Sequence, residues 1–352
     1  MKKLFLLSVA ATLISSISFA TIRRIQYWGV PVAGVDYPTG TAAVTAAAIG
    51  DTIMVFHTVA ETFTIDKRLV IIGPGYWNWA GVDANFNPNL QNIQPASNSG
   101  IGVVFAPGSD GTLITGCKLY FQTSGVVAIH NIKIRNCESN GLWYIGNTGA
   151  NLTYDNWEFS KNVLHHAIYS ASVATNKLTN LKVFNCIADG SAGYPCVSLS
   201  TALGQTGIIE NCSFYSTGAS LALTFNGFLV QNCIFHSSAP TNSTNSVFNN
   251  NVFTSAPAVT GSGNILNAVA NNIFVGFPTL GSNSYDGKYQ LKVGSPAIGA
   301  GIGGIDCGAY GGVNPYKLSL IPAVPAFYKL TAPGTAATSN PYPITFSVRA
   351  NN

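Results

Sequence analysis

The stretch GIIENCSFYS (Gly207–Ser216) has close counterparts in GFLVQNCIFHS (Gly227–Ser237), NIKIRNCESN (Asn131–Asn140) and NLKVFNCIAD (Asn180–Asp189). In each, a short run with alternating apolar residues ends in Asn-Cys, and in three of the four an apolar residue follows two places later. Anchored on the Asn, the series reads Asn136-Cys137, Asn156-Trp157, Asn185-Cys186, Asn211-Cys212, Asn232-Cys233, Asn251-Val252 and Asn272-Ile273, with Gly116-Cys117 as a degenerate first member. A period of about 20 residues is too short for paired helices and suits one coil of a parallel β-helix. Two longer steps carry inserts, VLHHAIYSASVATNK from Val163 and GSAGYPCVSLSTALG from Gly190.

The flanking pattern supports strands. Ile114, Ile134, Tyr154, Val183, Ile209 and Val230 lie three before the Cys position, and Leu119, Phe159, Phe214 and Phe235 lie two after it. Polar residues such as Arg135, Asp155, Glu210, Glu138 and Glu158 fall between them, which is the period-2 signature of a strand. The expected architecture is all-β: a right-handed parallel β-helix with a short N-terminal capping helix and an extended C-terminal tail. Asn136, Asn156, Asn185, Asn211, Asn232, Asn251 and Asn272 are expected to mark one corner of successive coils. Stacked at the ~4.8 Å strand spacing, their amides would bond up and down the column.

Cys117, Cys137, Cys186, Cys212 and Cys233 recur at one position, where Trp157, Val252 and Ile273 replace them. That is how a core hydrophobe behaves, so free buried thiols are expected. Parallel side-chain directions are poor disulfide geometry, and no adjacent His or second Cys completes a metal site. The pairing of Cys196 and Cys307 stays open.

The chain has 352 residues, 47% hydrophobic and 9% charged, with 36 Gly. MKKLFLLSVAATLISSISFA (Met1–Ala20) has a basic start, an apolar run and small residues at Ser18 and Ala20, as a secretory signal peptide does. No Cys follows it closely, so export without a lipid anchor is expected, to the periplasm, the cell surface or the medium. No later segment is long and apolar enough for a membrane helix. Formal charge is +4, with Lys2 and Lys3 inside the leader, and no basic cluster stands out along the chain; nucleic acid is not an expected partner. Beyond the signal peptide, residues 21–312 read as one β-helix domain. TAAVTAAAIG (Thr41–Gly50) within it is the one helical stretch, and YWNWAGVDANFNPNLQNIQPASNSG (from Tyr76) is a long loop. Residues 313–352 form a Pro-punctuated tail.

AAAIGDTIMVFHTVAETFTIDKRLVIIGPG (Ala46–Gly75), the repeated Asn-Cys coils, and YQLKVGSPAIGAG (from Tyr289) with DCGAYGG (from Asp306) together resemble the secreted bacterial parallel β-helix proteins of the pectate-lyase-like superfamily. The likeness runs from about Ala46 to Gly312. It implies the fold and leaves the activity open, because that superfamily holds lyases, hydrolases, epimerases and many members of no known chemistry. The Asn-Thr-Asp, Asp-Asp, Gly-His-Gly and Arg-Ile-Lys elements of its polygalacturonase-like branch are absent from the sequence.

Catalytic candidates are therefore few. Arg135 with Asp155, and Glu138 with Glu158, are expected at equivalent places on successive coils, the second pair offering a cation site or an acid pair. The bland alternative is a solvated sheet face, which is favoured; calcium has no clear acidic cluster, and no cofactor is expected. Trp143, Tyr144, His165, His166, Tyr169 and Tyr194 are expected to share one side of the solenoid. Trp143, Tyr144, His166 and Tyr169 suit a sugar-binding patch, and His165 and His166 also suit proton transfer; the competing expectation is that half of them point inward. The favoured function is a non-catalytic, adhesin-like protein that binds or organises extracellular or surface glycans. The alternative is a polysaccharide lyase or glycoside hydrolase with an unfamiliar site.

Overall fold

The computed structural model describes residues 20–26, 30–55, 61–73, 75, 100–124, 127–146, 152–165, 168–170, 176–190, 197–199, 204–216, 226–237, 239–240, 243, 245–279, 285–318, 326–331 and 344–349. Two long sheets, entirely parallel, dominate it. The first runs from Asp36–Tyr37 and Ile22–Ile25 through Thr52–Val55, Val70–Ile72, Leu113–Thr115, Lys133–Arg135, Glu158–Ser160, Leu181–Phe184, Gly207–Glu210 and Phe228–Gln231 to Val247–Asn249. The second runs from Thr62–Ile65 and Ile101–Phe105 through Lys118–Thr123, Glu138–Ile145, Val163–Leu164, Ile187–Asp189, Ser213–Tyr215 and Ile234–His236 to Val252–Phe253. Ile168–Ser170 and Val197–Ser198 extend the far half of this sheet, and Thr153–Asp155 pairs with Lys177–Thr179 on a third face. The chain is a parallel β-helix, each coil laying a strand in both long sheets.

Register makes the inward columns explicit. Ile114, Ile134, Phe159, Val183, Ile209, Val230 and Phe248 stack in the first sheet, all buried. Phe214, Phe235 and Phe253 stack in the second, with ring centroids 5.0 and 4.6 Å apart. Each buried Phe contributes ~1.5–3 kcal/mol through area removed from water. Parallel pairing lets like side chains lie over like, so one apolar choice per coil builds a continuous core. The helix Gly40–Ala46 closes the N-terminal end: Thr39 Oγ1 accepts from the amide N–H of Ala42, and Ala43 and Val44 enter the core. The tail contributes one antiparallel pair, Ala326–Thr331 with Thr345–Arg349.

The corner between the two sheets explains the Asn-Cys repeat, and it differs from the expected ladder. Gly116, Asn136, Lys161, Asn185, Asn211, Asn232 and Asn250 occupy one position per coil, each with positive φ, the non-glycine values lying between 48° and 56°. The chain reverses direction in a left-handed residue, which Asn tolerates better than other side chains. The next position holds Cys117, Cys137, Asn162, Cys186, Cys212, Cys233 and Asn251. Here Cys137 Sγ lies 3.8 Å from the Ile114 carbonyl, Cys186 Sγ 3.6 Å from Phe159 O, Cys212 Sγ 3.5 Å from Val183 O and Cys233 Sγ 3.7 Å from Ile209 O, each reaching the coil before. Asn162 Nδ2 and Asn251 Nδ2 donate to Ile134 O and Val230 O at 2.9 and 3.0 Å. In the same coils the Cys137 and Cys233 amides donate to Asn162 Oδ1 and Asn251 Oδ1 at 2.9 Å, and the Cys212 amide to Cys233 Sγ at 3.4 Å. The position therefore holds a small side chain that is donor and acceptor at once.

Three of the expected ladder residues sit elsewhere. Asn156 belongs to the opposite corner with Asn131 and Asn180, where its Nδ2 donates to Asn131 Oδ1 at 2.8 Å. Trp157 fills that corner, its indole donating to Ile129 O at 2.7 Å, and does not stand in for Cys. Asn251 is at the Cys position, and Asn272 lies exposed in the single turn Ala270–Asn272. Ile273 accordingly has no place in the column. The insert after Val163 hid the frame, because Lys161-Asn162 lacks the Asn-Cys spelling. Among the described residues Cys117, Cys137, Cys186, Cys212, Cys233 and Cys307 are free and buried; Cys196 lies outside them. Burial raises the Cys137 and Cys307 thiols to about 12.

Two outcomes are expected. These six thiols stay silent to a thiol reagent at pH 8 in the native protein and react in denaturant without reductant; six that stay protected in denaturant would mean disulfides. Asn211→Ala lowers stability by ~1–3 kcal/mol, through left-handed strain and a lost hydrogen bond. Asn211→Gly costs less, because it keeps the conformation. Urea midpoints in the order wild type, Gly, Ala support the corner argument, and an Ala variant equal to wild type contradicts it.

Candidate functional site

The outer face of the second sheet carries two rows of side chains. One is Glu138, Val163, Ile187, Ser213, Ile234 and Val252. The other is His165, one residue beyond Leu164, then Asp189, Tyr215 and His236. A strap formed by residues 273–279 and 285–316 covers both. Ile273, Phe274, Tyr289, Ala297, Cys307, Ala309 and Tyr316 form a second apolar cluster with Val163, Ile187, Ile234 and Val252. Gly308 has a left-handed backbone (φ 88°), and an added Cβ would lie 2.6 Å from Ile234 Cδ1, so any other residue would be strained there and would push Ile234 aside. This gives DCGAYGG its physical meaning. The strap also uses the corner: Asn185 Nδ2 donates to Ala309 O and Gly311 O, Asn211 Nδ2 to Asp306 O and Asn250 Nδ2 to Ala300 O, and Asn232 Oδ1 accepts from Ile302 N. The corner amides thus bind the strap rather than one another.

Beneath the strap lies a buried polar chain. His165 Nε2 is 2.8 Å from Glu138 Oε1, and His165 Nδ1 is 3.1 Å from the Tyr285 hydroxyl. Asp189 Oδ2 accepts from the Tyr285 hydroxyl, from Lys288 Nζ at 2.9 Å and from the Tyr289 hydroxyl at 2.5 Å. The Lys288 ammonium also lies 3.9 Å from the Tyr285 ring centroid. Burial opposes the Asp189 charge, yet Lys288 and the two hydroxyls outweigh it and hold the carboxyl below its ordinary range. Glu138 goes the other way: burial pushes it up more than His165 and Lys118 pull it down, and Asp286 adds to the rise. Glu138 Oε2 is buried without a hydrogen-bond partner. Asp286 accepts from the Tyr316 hydroxyl at 2.9 Å.

The expected catalytic pairs are not formed. Arg135 aligns with Ser160, not with Asp155, and Asp155 lies on the third face, accepting from Thr179 and Asn180. Glu138 and Glu158 are on different sheets; Glu158 is held by Arg135 at 2.8 Å. The repeat frame slipped at Asn156, and both pairings went with it. Among the described residues no group of three His, Cys, Asp or Glu side chains could hold a metal.

The aromatic patch divides as strand alternation requires. Trp143 is fully buried, its indole donating to Leu119 O at 2.9 Å, so it is a core residue and not part of a surface patch. Tyr144 and Tyr169 are half-buried on the outer face in direct register, with ring centroids 5.3 Å apart and planes at 27°. Beside them Tyr120, Gln122, Leu142 and Tyr144 line a shallow groove of about 380 Å3. His166, Tyr194, Tyr76, Trp77 and Trp79 lie outside the described residues. Asp189, Tyr285, Lys288 and Tyr289 escaped the sequence reading. The density of ionisable and aromatic groups in SYDGKYQLK was a local signal, but its partner lies about a hundred residues away. No known protein-family model matches the chain, and no curated protein matches it.

Two variants check the electrostatics. Asp189→Asn leaves Lys288 without its anion and costs ~3–5 kcal/mol; the strap then becomes the first site of limited proteolysis. Asp189 is depressed, so its contribution is present above the ordinary carboxylate pKa and disappears as pH falls through the lower folded value. Glu138 is raised, so the folded protein loses stability as pH climbs from the ordinary value through the raised one. Relative to wild type, Glu138→Gln should therefore gain melting temperature as pH rises from the ordinary carboxylate range through the raised value, and a constant difference would contradict the burial argument.

Proposed function

We propose that the chain is an exported, non-catalytic β-helix protein of the pectate-lyase-like kind that binds or organises extracellular or cell-surface glycans. The single observation carrying this reading is the half-buried, outward-facing Tyr144–Tyr169 stack beside the Tyr120, Gln122 and Leu142 groove. Rings held by a rigid sheet offer flat apolar area with little entropy to lose, and their hydroxyls orient a sugar ring. Parallel coils repeat at ~4.8 Å, so such a face takes an extended polymer better than a compact ligand. The non-catalytic part is supported by how the acids are used: Asp189 and Glu158 are each neutralised by a basic partner. Residues 1–19, which carry most of the export signal read from the sequence, lie outside the described structure.

One observation favours the enzymatic alternative, a polysaccharide lyase or glycoside hydrolase. His165 bridges the raised carboxyl of Glu138 and the Tyr285 hydroxyl, an arrangement able to relay a proton. Its position under the strap weighs against access by a polymer.

Affinity electrophoresis in gels loaded with neutral and weakly acidic polysaccharides tests the main reading. Some polymer should retard the wild type, and Tyr144→Ala and Tyr169→Ala should each weaken retardation roughly 5- to 10-fold, which corresponds to about 1–1.4 kcal/mol. Reducing-sugar and unsaturated-product assays on the same polymers should stay at background. Retardation unchanged by both variants refutes the site, and product formation lost in His165→Ala selects the alternative.

A further inference from the structure

The outer face of the first sheet gathers cations that are scattered in the sequence. Lys133, Glu158 and Lys182 share one register row; Arg135 lies two residues along the same strand as Lys133, and Lys161 sits at the adjoining corner. The strap stops short of this region. Its residues Ile305, Gly312, Val313 and Asn314 form one wall of an open groove of about 620 Å3, whose floor includes Arg135 and Lys161 together with the acids Glu158 and Glu210.

Lys161 is the unusual member. It occupies the left-handed corner where neighbouring coils use Asn, at φ 56°. A long β-unbranched cation is a costlier choice there than Asn, and nothing in the corner's backbone needs it. Its ammonium donates to the neutral Asn314 Oδ1 at 2.6 Å, and no acid pairs with it among the described residues. Burial, and then the nearby charges of Lys317 and Arg135, destabilise its charged form. The acids on this face are Glu158, held by Arg135 and by Ser160 Oγ, and Glu210, which accepts from Gln231 Nε2 and Asn232 Nδ2. Lys182 is turned to Asn156 Oδ1 at 3.1 Å. The cations therefore outnumber the acids, and a half-buried one is left without a counter-charge in a groove open to solvent.

We propose that this groove is an anion-binding site, with Lys161 and Arg135 receiving a sulfate or carboxylate group carried on an extended polysaccharide, and Lys133 and Lys182 flanking its path. The site is separate from the Tyr144–Tyr169 strip and does not rest on it. An oxyanion there would bridge Lys161 and Arg135, whose mutual repulsion it relieves, and a polymer along the groove would follow the positive face coil by coil.

The test uses the exported chain and three probes on one backbone: dextran, dextran sulfate and carboxymethyl dextran, in affinity gels at about 0.15 M salt, where long-range attraction is screened. Dextran sulfate, carboxymethyl dextran or both should retard the wild type; dextran should not. Which of them does so identifies the anionic group. Lys161→Asn installs the residue that the corner uses elsewhere and should weaken retardation roughly 3- to 10-fold without lowering the melting temperature. If that variant fails to fold, Lys182→Gln serves for the same comparison. The proposal is overturned if neither anionic polymer retards the wild type, if dextran retards it equally, or if the charge-removing variant binds as tightly as wild type.

Discussion

Seven successive coils, from Leu113–Thr115 to Val247–Asn249, turn from the first sheet into the second within two residues, and the backbone groups at that turn point towards the interior. An inward carbonyl or amide left without a partner costs ~1–3 kcal/mol, and the debt would recur in each coil. The chain meets it with one position. The side chain after the left-handed residue donates to the carbonyl of the coil before and accepts the amide of that coil, as Asn162 and Asn251 do at 2.9–3.0 Å. Cys does the same with longer contacts while adding apolar volume to the core. The column works only because the coils are in register, so the same interaction that satisfies the corner also fixes the pairing of both sheets.

The outward half of that corner determines what the surface can do. The Asn amides at 185, 211, 232 and 250 face away from the interior and bind the backbone of the strap. The strap then lies over the second sheet's outer rows and turns an apolar surface into a second core. Asp189 anchors the crossing with three donors from the strap. Towards the N-terminal coils the strap ends, and two kinds of surface stand beyond it: half-buried tyrosines on the second sheet, and on the first a groove that holds Lys161 beside the Arg135–Glu158 pair. A polymer-binding reading of the molecule thus follows from where the strap stops as much as from which residues are aromatic.

The architecture was legible because parallel coils repeat. Asn136, Asn185, Asn211 and Asn232 with their cysteines gave the period, and the flanking Ile, Val and Phe gave the inward columns. The frame broke where Lys161-Asn162 replaces Asn-Cys and the unrelated Asn156-Trp157 imitates it, slipped by one residue at Asn250-Asn251, and ran past the column at Asn272. The first of these misplaced Asp155 and Glu158 relative to Arg135 and Glu138. Trp143 was misassigned for a different reason: alternation says that one of Trp143 and Tyr144 points inward, and composition cannot say which. The polar chain from Glu138 to Lys288, and the basic face of Lys133, Arg135, Lys161 and Lys182, exist only once distant segments are brought together. Neither was visible as a cluster along the chain.

The corner account is tested most directly by amide hydrogen exchange at Cys137, Cys212 and Cys233. These N–H groups are bonded to the side chains of Asn162, Cys233 and Asn251 in the following coil, outside the regular strand ladder. If the corner is an obligatory part of the fold, they exchange only through global unfolding, as slowly as the central strand amides of Val183 and Ile209. Exchange at these three positions as fast as in exposed turns, with the strands still protected, would show that the corner bonds are incidental and that the coils are held by strand pairing and apolar packing alone.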